Sequence, residues 1–296
     1  MVHEESAAKR QKTADAGHEG GAYFALGPKT YKVPMSMHKE NRERLVEALR
    51  ARDDVPAGAV VLLEGGKLVN QYDTDVELLF RQESFFHYLF GAKEPSAYGA
   101  IEVDSGRTHL FVERLPEEYA VWMGSIEKPE SFKARYEVDE VHYSDVVSTV
   151  LGGLSPSKLL LLEGQNTDSG LQAKAADFKG MATNFKCDRT VLHPVLVECR
   201  VHKTEAELAL LRAVNLVSSE AHKEVMRRAR PGMSEFELES RFLHETYSKG
   251  GCRFTAYTCI CGSGNNGATL HYGHQGAPND KVSGVCFDLV VVSKSR

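Results

Sequence analysis

The side chains best suited to chemistry crowd into residues 253–280, RFTAYTCICGSGNNGATLHYGHQGAPND. This stretch supplies two thiols (Cys259, Cys261), two imidazoles (His271, His274) and the carboxylate of Asp280. Cys259-Ile-Cys261 is too tightly spaced for the paired ligands of a zinc ribbon. The six cysteines, at 187, 199, 252, 259, 261 and 286, read instead as reduced thiols serving as small apolar residues. Imidazole and carboxylate groups suit divalent ions, but a pair of ions needs several oxygen and nitrogen ligands each. Beyond His274 the sequence offers no further His and no Glu, only Asp280 and Asp288. A smaller polar set, Arg81, Glu83 and His87, interrupts an apolar stretch. It predicts an internal hydrogen-bonded network with no reacting group.

The elements that must position these groups follow from periodicity. SMHKENRERLVEALRAR puts Met37, Leu45, Val46 and Leu49 on one helical face, with Ser36 as N-cap. Ala59–Leu63 is an apolar run closed by Gly65-Gly66, a buried strand and a turn. Phe85–Phe90 reads as an aromatic strand or core segment. Residues 98–103 and 108–112, joined by Asp104-Ser-Gly-Arg, predict a hairpin, and Lys158 opens another buried strand. Helices are expected at 129–135, 143–151 and 170–178. Strands alternating with helices give an α/β domain ending near Pro194. A long helix then starts at Thr204, with Glu207 placed for a capping box, and carries Leu208, Leu211, Val214, Ser218, Ala221 and Val225. Arg230-Pro-Gly breaks it. A second helix runs from Ser234 through Tyr247 to Gly250-Gly251, and the segment after it reads as strand-rich.

Composition sets the outer bounds. The 296 residues suffice for two domains, and 42% hydrophobic with 26% charged residues is ordinary for a globular protein. A net charge of −5 argues against nucleic acid as a partner. No apolar run approaches the ~20 residues of a membrane helix, and no apolar signal region stands at the N-terminus. Residues 1–20 lack apolar periodicity and read as a disordered tail.

Several segments carry a family resemblance. Residues 72–91 (YDTDVELLFRQESFFHYLFG), VWMGSI at 121–126 and residues 183–212 resemble the N-terminal domain of eukaryotic Xaa-Pro dipeptidases, the prolidases. SSEAHKEVMRRARPGMSEFELESRF and YTCICGSGNNGATLHYGHQGAPND are similar to the start of that family's catalytic domain. RQESFF, TDSG and LHYGH in this order are specific together. The implied fold is α/β: an N-terminal creatinase/aminopeptidase-P-like domain over 21–195, then the incomplete start of a pita-bread α+β catalytic domain over 196–281, then a non-family tail over 282–296.

The resemblance implies a cytoplasmic, homodimeric hydrolase that cleaves dipeptides with C-terminal proline and dimerises through its N-terminal domain, with no nucleic acid or membrane partner. Two Mn²⁺ ions would activate a bridging water. His271 matches a substrate-contacting histidine of the family, its alternative being a structural turn residue. Trp122 matches a loop aromatic that lies near the partner's active site in the family dimer, its alternative being a core position. Asp288, in Phe287-Asp288, stands where a strand with the first metal-ligand Asp would fall. Its spacing from Asp280 is short and the Gly-Asp turn is missing. Val282-Ser283 is also what a read-through splice donor encodes, which would make Asp288 a coincidence. With so few ligands, the 296-residue chain is expected to bind the metal pair weakly or not at all and to be inactive alone. The alternative function is a non-catalytic form that dimerises with or modulates full-length subunits.

Overall fold

The computed structural model describes residues 21–273. The expected N-terminal tail, His274, Asp280, Asp288 and the segment 282–296 lie outside the described residues. The chain divides into two compact units. One spans Met35–Thr204, and the other joins the described residues 21–34 to those from Glu205 onward.

The second of these contributes β1 (Tyr23–Phe24), paired antiparallel with β2 (Val33–Pro34). The unit Met35–Thr204 is built on a six-stranded sheet. Its strands are β3 (Ala59–Glu64), β4 (Tyr98–Glu102), β5 (Thr108–Val112), β6 (Glu140–Tyr143), β7 (Lys158–Leu161) and β10 (Cys187–Asp188). Their order is β10-β7-β3-β4-β5-β6, antiparallel at β3/β4 and β4/β5 and parallel elsewhere. A separate two-stranded ribbon pairs β8 (Gly164–Gln165) with β9 (Gln172–Ala173). β3 lies inside the sheet and is covered on both faces, which is why it is a continuous apolar run with no polar alternation. One face packs Val60, Leu62, Phe111 and Leu161 with Val147 and Leu151 of the helix Val147–Leu154. Gly99 on β4 is required by close packing, because a Cβ there would overlap the Phe90 ring.

The hairpin, the strands at 59 and 158 and the helix near 129 form as expected. Phe85–Phe90 does not form a strand. It belongs to the helix Ser84–Phe90, whose first turn is capped by Glu83 accepting from Phe86 N–H at 2.7 Å and whose end is Gly91 at φ 61°. Ser36 is not a cap, since the helix Met35–Arg50 already contains it. Residues 170–178 form no helix; β9 and a loop occupy them, and a short helix follows at Met181–Asn184. Pro194 lies inside a helix. It sits in the first turn of the helix Leu192–Val201, where a missing N–H costs no hydrogen bond. That helix stays in the same unit through buried Leu192, Val195, Leu196 and Cys199, with Tyr88 Oη donating to Cys199 O at 3.1 Å.

A polar network forms near residue 81, takes in Glu83 as expected and adds Gln82. Gln82 is its hub: its Oε1 accepts from Gly66 N–H and Glu83 N–H, and its Nε2 donates to Ala92 O and Glu94 O. His87 is held below its ordinary pKa by burial, and its Nδ1 has no hydrogen-bond partner. The helix Met35–Arg50 satisfies the last carbonyls of Ser84–Phe90 instead. His38 Nδ1 and Asn41 Nδ2 reach Tyr88 O at 3.0 and 3.1 Å, and Arg42 Nη1 reaches Leu89 O at 2.8 Å.

In the other unit, the helices Glu205–Arg228 and Glu235–Gly250 pack through Val214, Ala221, Val225, Leu238 and Phe242. Gly251 closes the second helix at φ 69°. Over the described residues, the segment after it has bridge positions at Ile260 and Ser263 but no extended strand. Its one regular element among the described residues is the 3-10 helix Gly264–Ala268.

Candidate functional site

The stretch from Ser263 to Tyr272 is held by a carboxylate that no motif announces. Ser234 and Glu237 form a capping box at the start of the helix Glu235–Gly250, with Ser234 N–H donating to Glu237 Oε2 at 2.6 Å. The cap fixes Glu235 as the first helical residue, with 0% exposure. Its Oε1 accepts from Ser263 N–H at 2.5 Å and from Asn266 Nδ2 at 3.2 Å, and its Oε2 accepts from Tyr272 Oη at 2.6 Å. Asn266 Nδ2 also donates to Tyr272 Oη at 3.0 Å. A buried carboxylate needs such compensation, and the helix N-terminus adds a favourable dipole.

These bonds tie the turn after the 3-10 helix to one end of a rigid helix. His271, next to Tyr272, is exposed and so faces out from an anchored backbone. Gly262 lets this loop close, because a Cβ there would lie 2.9 Å from the Gly267 backbone. Cys259 and Cys261 pack in the apolar cluster beneath. Burial pushes both thiols up to about 12, so they stay protonated and serve as small apolar groups.

Trp122 lies in the other unit, on the short helix Ala120–Met123, where it is 75% exposed. That exposure removes the core alternative for this residue within the chain. Its described ring contact is an edge-on one with Tyr119 at 5.9 Å. Val121 and Met123 are exposed beside it. Among the described residues after Glu205, no three His, Cys, Asp or Glu side chains converge on a point. The described side chains that do converge are His109, Glu140 and His142, on β5 and β6.

Glu235 was the residue that sequence reading missed. It lies in a run of alternating glutamates, Glu235, Glu237 and Glu239, and nothing in the run separates an inward carboxylate from solvated ones. The one usable signal was the helix-start position, where Ser234 fixes which way the next side chain leaves the helix.

Comparison with known proteins places this geometry. The aminopeptidase P N-terminal domain matches residues 38–160, and metallopeptidase family M24 matches residues 209–294. An Xaa-Pro dipeptidase of Pongo abelii is 54% identical over 262 residues, covering 88% of this chain and 53% of that protein. The Xaa-Pro dipeptidase of Homo sapiens is 53% identical over 262 residues with the same coverages. The chain belongs to metallopeptidase family M24. It spans about half the length of the curated relatives it matches. The M24 match runs past Lys281, where the sequence resemblance was expected to stop, and takes in Asp288. Aminopeptidase P from E. coli, solved with the inhibitor Pro-Leu, has a TM-score of 0.68 at 24% identity, covering 84% of this chain and 56% of that one. At that identity the likeness concerns the fold: an N-terminal aminopeptidase-P-like α/β domain followed by part of an M24 catalytic domain. No described helix is long and apolar enough to cross a membrane.

Proposed function

We propose that this chain is part of an Xaa-Pro dipeptidase, which hydrolyses dipeptides ending in proline. The observation that carries this reading is the 54% identity to an Xaa-Pro dipeptidase across both domains. M24 membership supports divalent metal chemistry, and Mn²⁺ is the ion proposed. Bound metal would supply an activated water. The chain's own contribution is positional. Glu235 fixes Tyr272, and this sets the backbone from which His271 can hydrogen-bond a substrate carboxylate or a developing oxyanion. Asp288 is proposed as one metal ligand, on the strength of the M24 match running through it.

The remaining parts of the reading concern the assembly. The exposed Tyr119–Met123 surface, with Trp122 at its centre, is proposed to face a second copy in a cytoplasmic homodimer. The 296-residue polypeptide alone carries too few carboxylate and imidazole groups after His271 for a two-ion site. It is therefore proposed to be inactive alone and available to pair with complete subunits.

The test uses the protein isolated from its source and the 296-residue polypeptide side by side, with Gly-Pro as substrate and Mn²⁺ present. The source protein should release proline, and His271→Ala should lower kcat/KM. The 296-residue polypeptide should release none. Cleavage of Xaa-Pro-Yaa tripeptides with no turnover of Gly-Pro would replace the dipeptidase reading with an aminopeptidase P one. Turnover by the 296-residue polypeptide would overturn its proposed inactivity.

A further inference from the structure

The outer edge of the six-stranded sheet carries a constellation that the dipeptidase reading leaves without a role. β5 and β6 run parallel with His109 opposite Glu140, and His142 follows two residues later on the same face. Three ligand-capable atoms converge there. His109 Nδ1 lies 3.4 Å from both His142 Nε2 and Glu140 Oε2, and those two are 3.0 Å apart. A tetrahedral shell with metal–nitrogen bonds of about 2.0–2.1 Å has ligand–ligand edges of about 3.4 Å. The triangle therefore has the size of one face of such a shell.

The surrounding groups aim these atoms inward. Glu102 Oε1 accepts from His109 Nε2–H at 2.9 Å and is itself steadied by Ser105 Oγ, which donates to its other oxygen at 3.0 Å. The Arg107 guanidinium holds Glu140 by Oε1, which leaves Oε2 for the cluster. With the His109 proton on Nε2, its Nδ1 lone pair faces the Glu140 Oε2 lone pairs at a residue only 2% exposed. Two acceptors so placed call for a positive centre between them, and the single N–H of His142 can point well at only one. A carboxylate on the far N–H of an imidazole is the arrangement that orients metal-binding histidines. The Glu140 and His142 side chains are 32% and 24% exposed, so an ion can enter and a water can complete the shell.

We propose that His109, Glu140 and His142 bind one zinc-class divalent cation, with the fourth position open to solvent and Glu102 orienting His109. Two imidazoles and one carboxylate favour Zn²⁺ over the oxygen-rich shells of Mn²⁺, Mg²⁺ or Ca²⁺. The site is built wholly within Met35–Thr204.

The test titrates Zn²⁺ into the chelator-stripped 296-residue chain against a chromophoric chelator, and repeats the titration with Co²⁺ for its visible spectrum. One tight equivalent is expected. His142→Ala should weaken it at least ~100-fold and Glu102→Gln about 10–100-fold. The cobalt complex should show ligand-field bands without thiolate charge transfer. Circular dichroism and Tm of the metal-free variants should match the parent, and Glu140→Ala serves as the second variant if His142→Ala does not fold. The proposal is overturned if the parent binds no Zn²⁺, if the variants bind as tightly as the parent, or if a thiolate band shows that cysteines hold the ion.

Discussion

Replacing Glu235 with Ala should free the loop that carries His271. The carboxylate accepts from Ser263 N–H, Asn266 Nδ2 and Tyr272 Oη, and all three lose that acceptor together. Ser263 is buried, and a buried amide deprived of its partner costs about 1–3 kcal/mol, while a hydrogen bond to a charged group contributes about 1.5–3 kcal/mol. Because Tyr272 and Asn266 can turn toward water, the sum is about 3–5 kcal/mol against the closed loop. At about 1.4 kcal/mol per factor of ten, local opening should rise roughly 100- to 4,000-fold. Amide hydrogen exchange reads this directly. The peptide covering 260–272 should exchange faster by that factor, while one covering β3 should not change. Glu235→Gln keeps one acceptor and should lose only about 1–2 kcal/mol. Unchanged exchange at 260–272 in Glu235→Ala would refute the anchoring role of this residue.

Other outcomes follow from groups already described. Burial lowers His38 to about 3, so the folded chain refuses a proton that the unfolded chain accepts near 6.5. Stability is then full above the unfolded value and falls as pH drops from 6.5 toward 3, by roughly 5 kcal/mol in total. His87, lowered in the same direction, adds to the slope. Urea midpoints at successive pH values should decline less steeply in His38→Asn, and equal slopes would remove His38 as the cause. Gly99→Ala should lower stability by about 1–3 kcal/mol through overlap with Phe90, with partial recovery in the double variant that adds Phe90→Leu. Trp122→Ala should leave the Tm of the monomer unchanged, because the ring is exposed, and should weaken self-association in sedimentation.

Local pattern revealed the strands and long helices because their faces differ in polarity. Ala59–Leu63 and the 98–112 hairpin are examples. It failed at Ser84–Phe90, where the aromatic run Phe85–Phe90 offers a single polar residue, His87, too little to set a period of 2 against one of 3.6. The cap Glu83 was visible, but a glutamate is an uncommon N-cap and was read as a network member. His271 was legible only through its motif. Its anchor Glu235 was not, because an anchor is defined by a partner 37 residues away, which no local window contains. The His109, Glu140 and His142 cluster was hidden for a related reason. Its register depends on two parallel strands, and parallel pairing leaves no turn signal in the sequence.

The place of β3 in the sheet also governs the order in which the chain can be made. Its antiparallel neighbour β4 follows soon after it, but its parallel neighbour β7 lies roughly a hundred residues downstream of the same start. A ribosome adding 5–20 residues per second would leave that side of β3 open for roughly 5–20 s. During this interval Ala59–Leu63, five apolar residues in a row, present unpaired backbone to the cell. Newly made chain is therefore most vulnerable to wrong pairing before Leu161 has emerged, and a holding chaperone would find its target at β3.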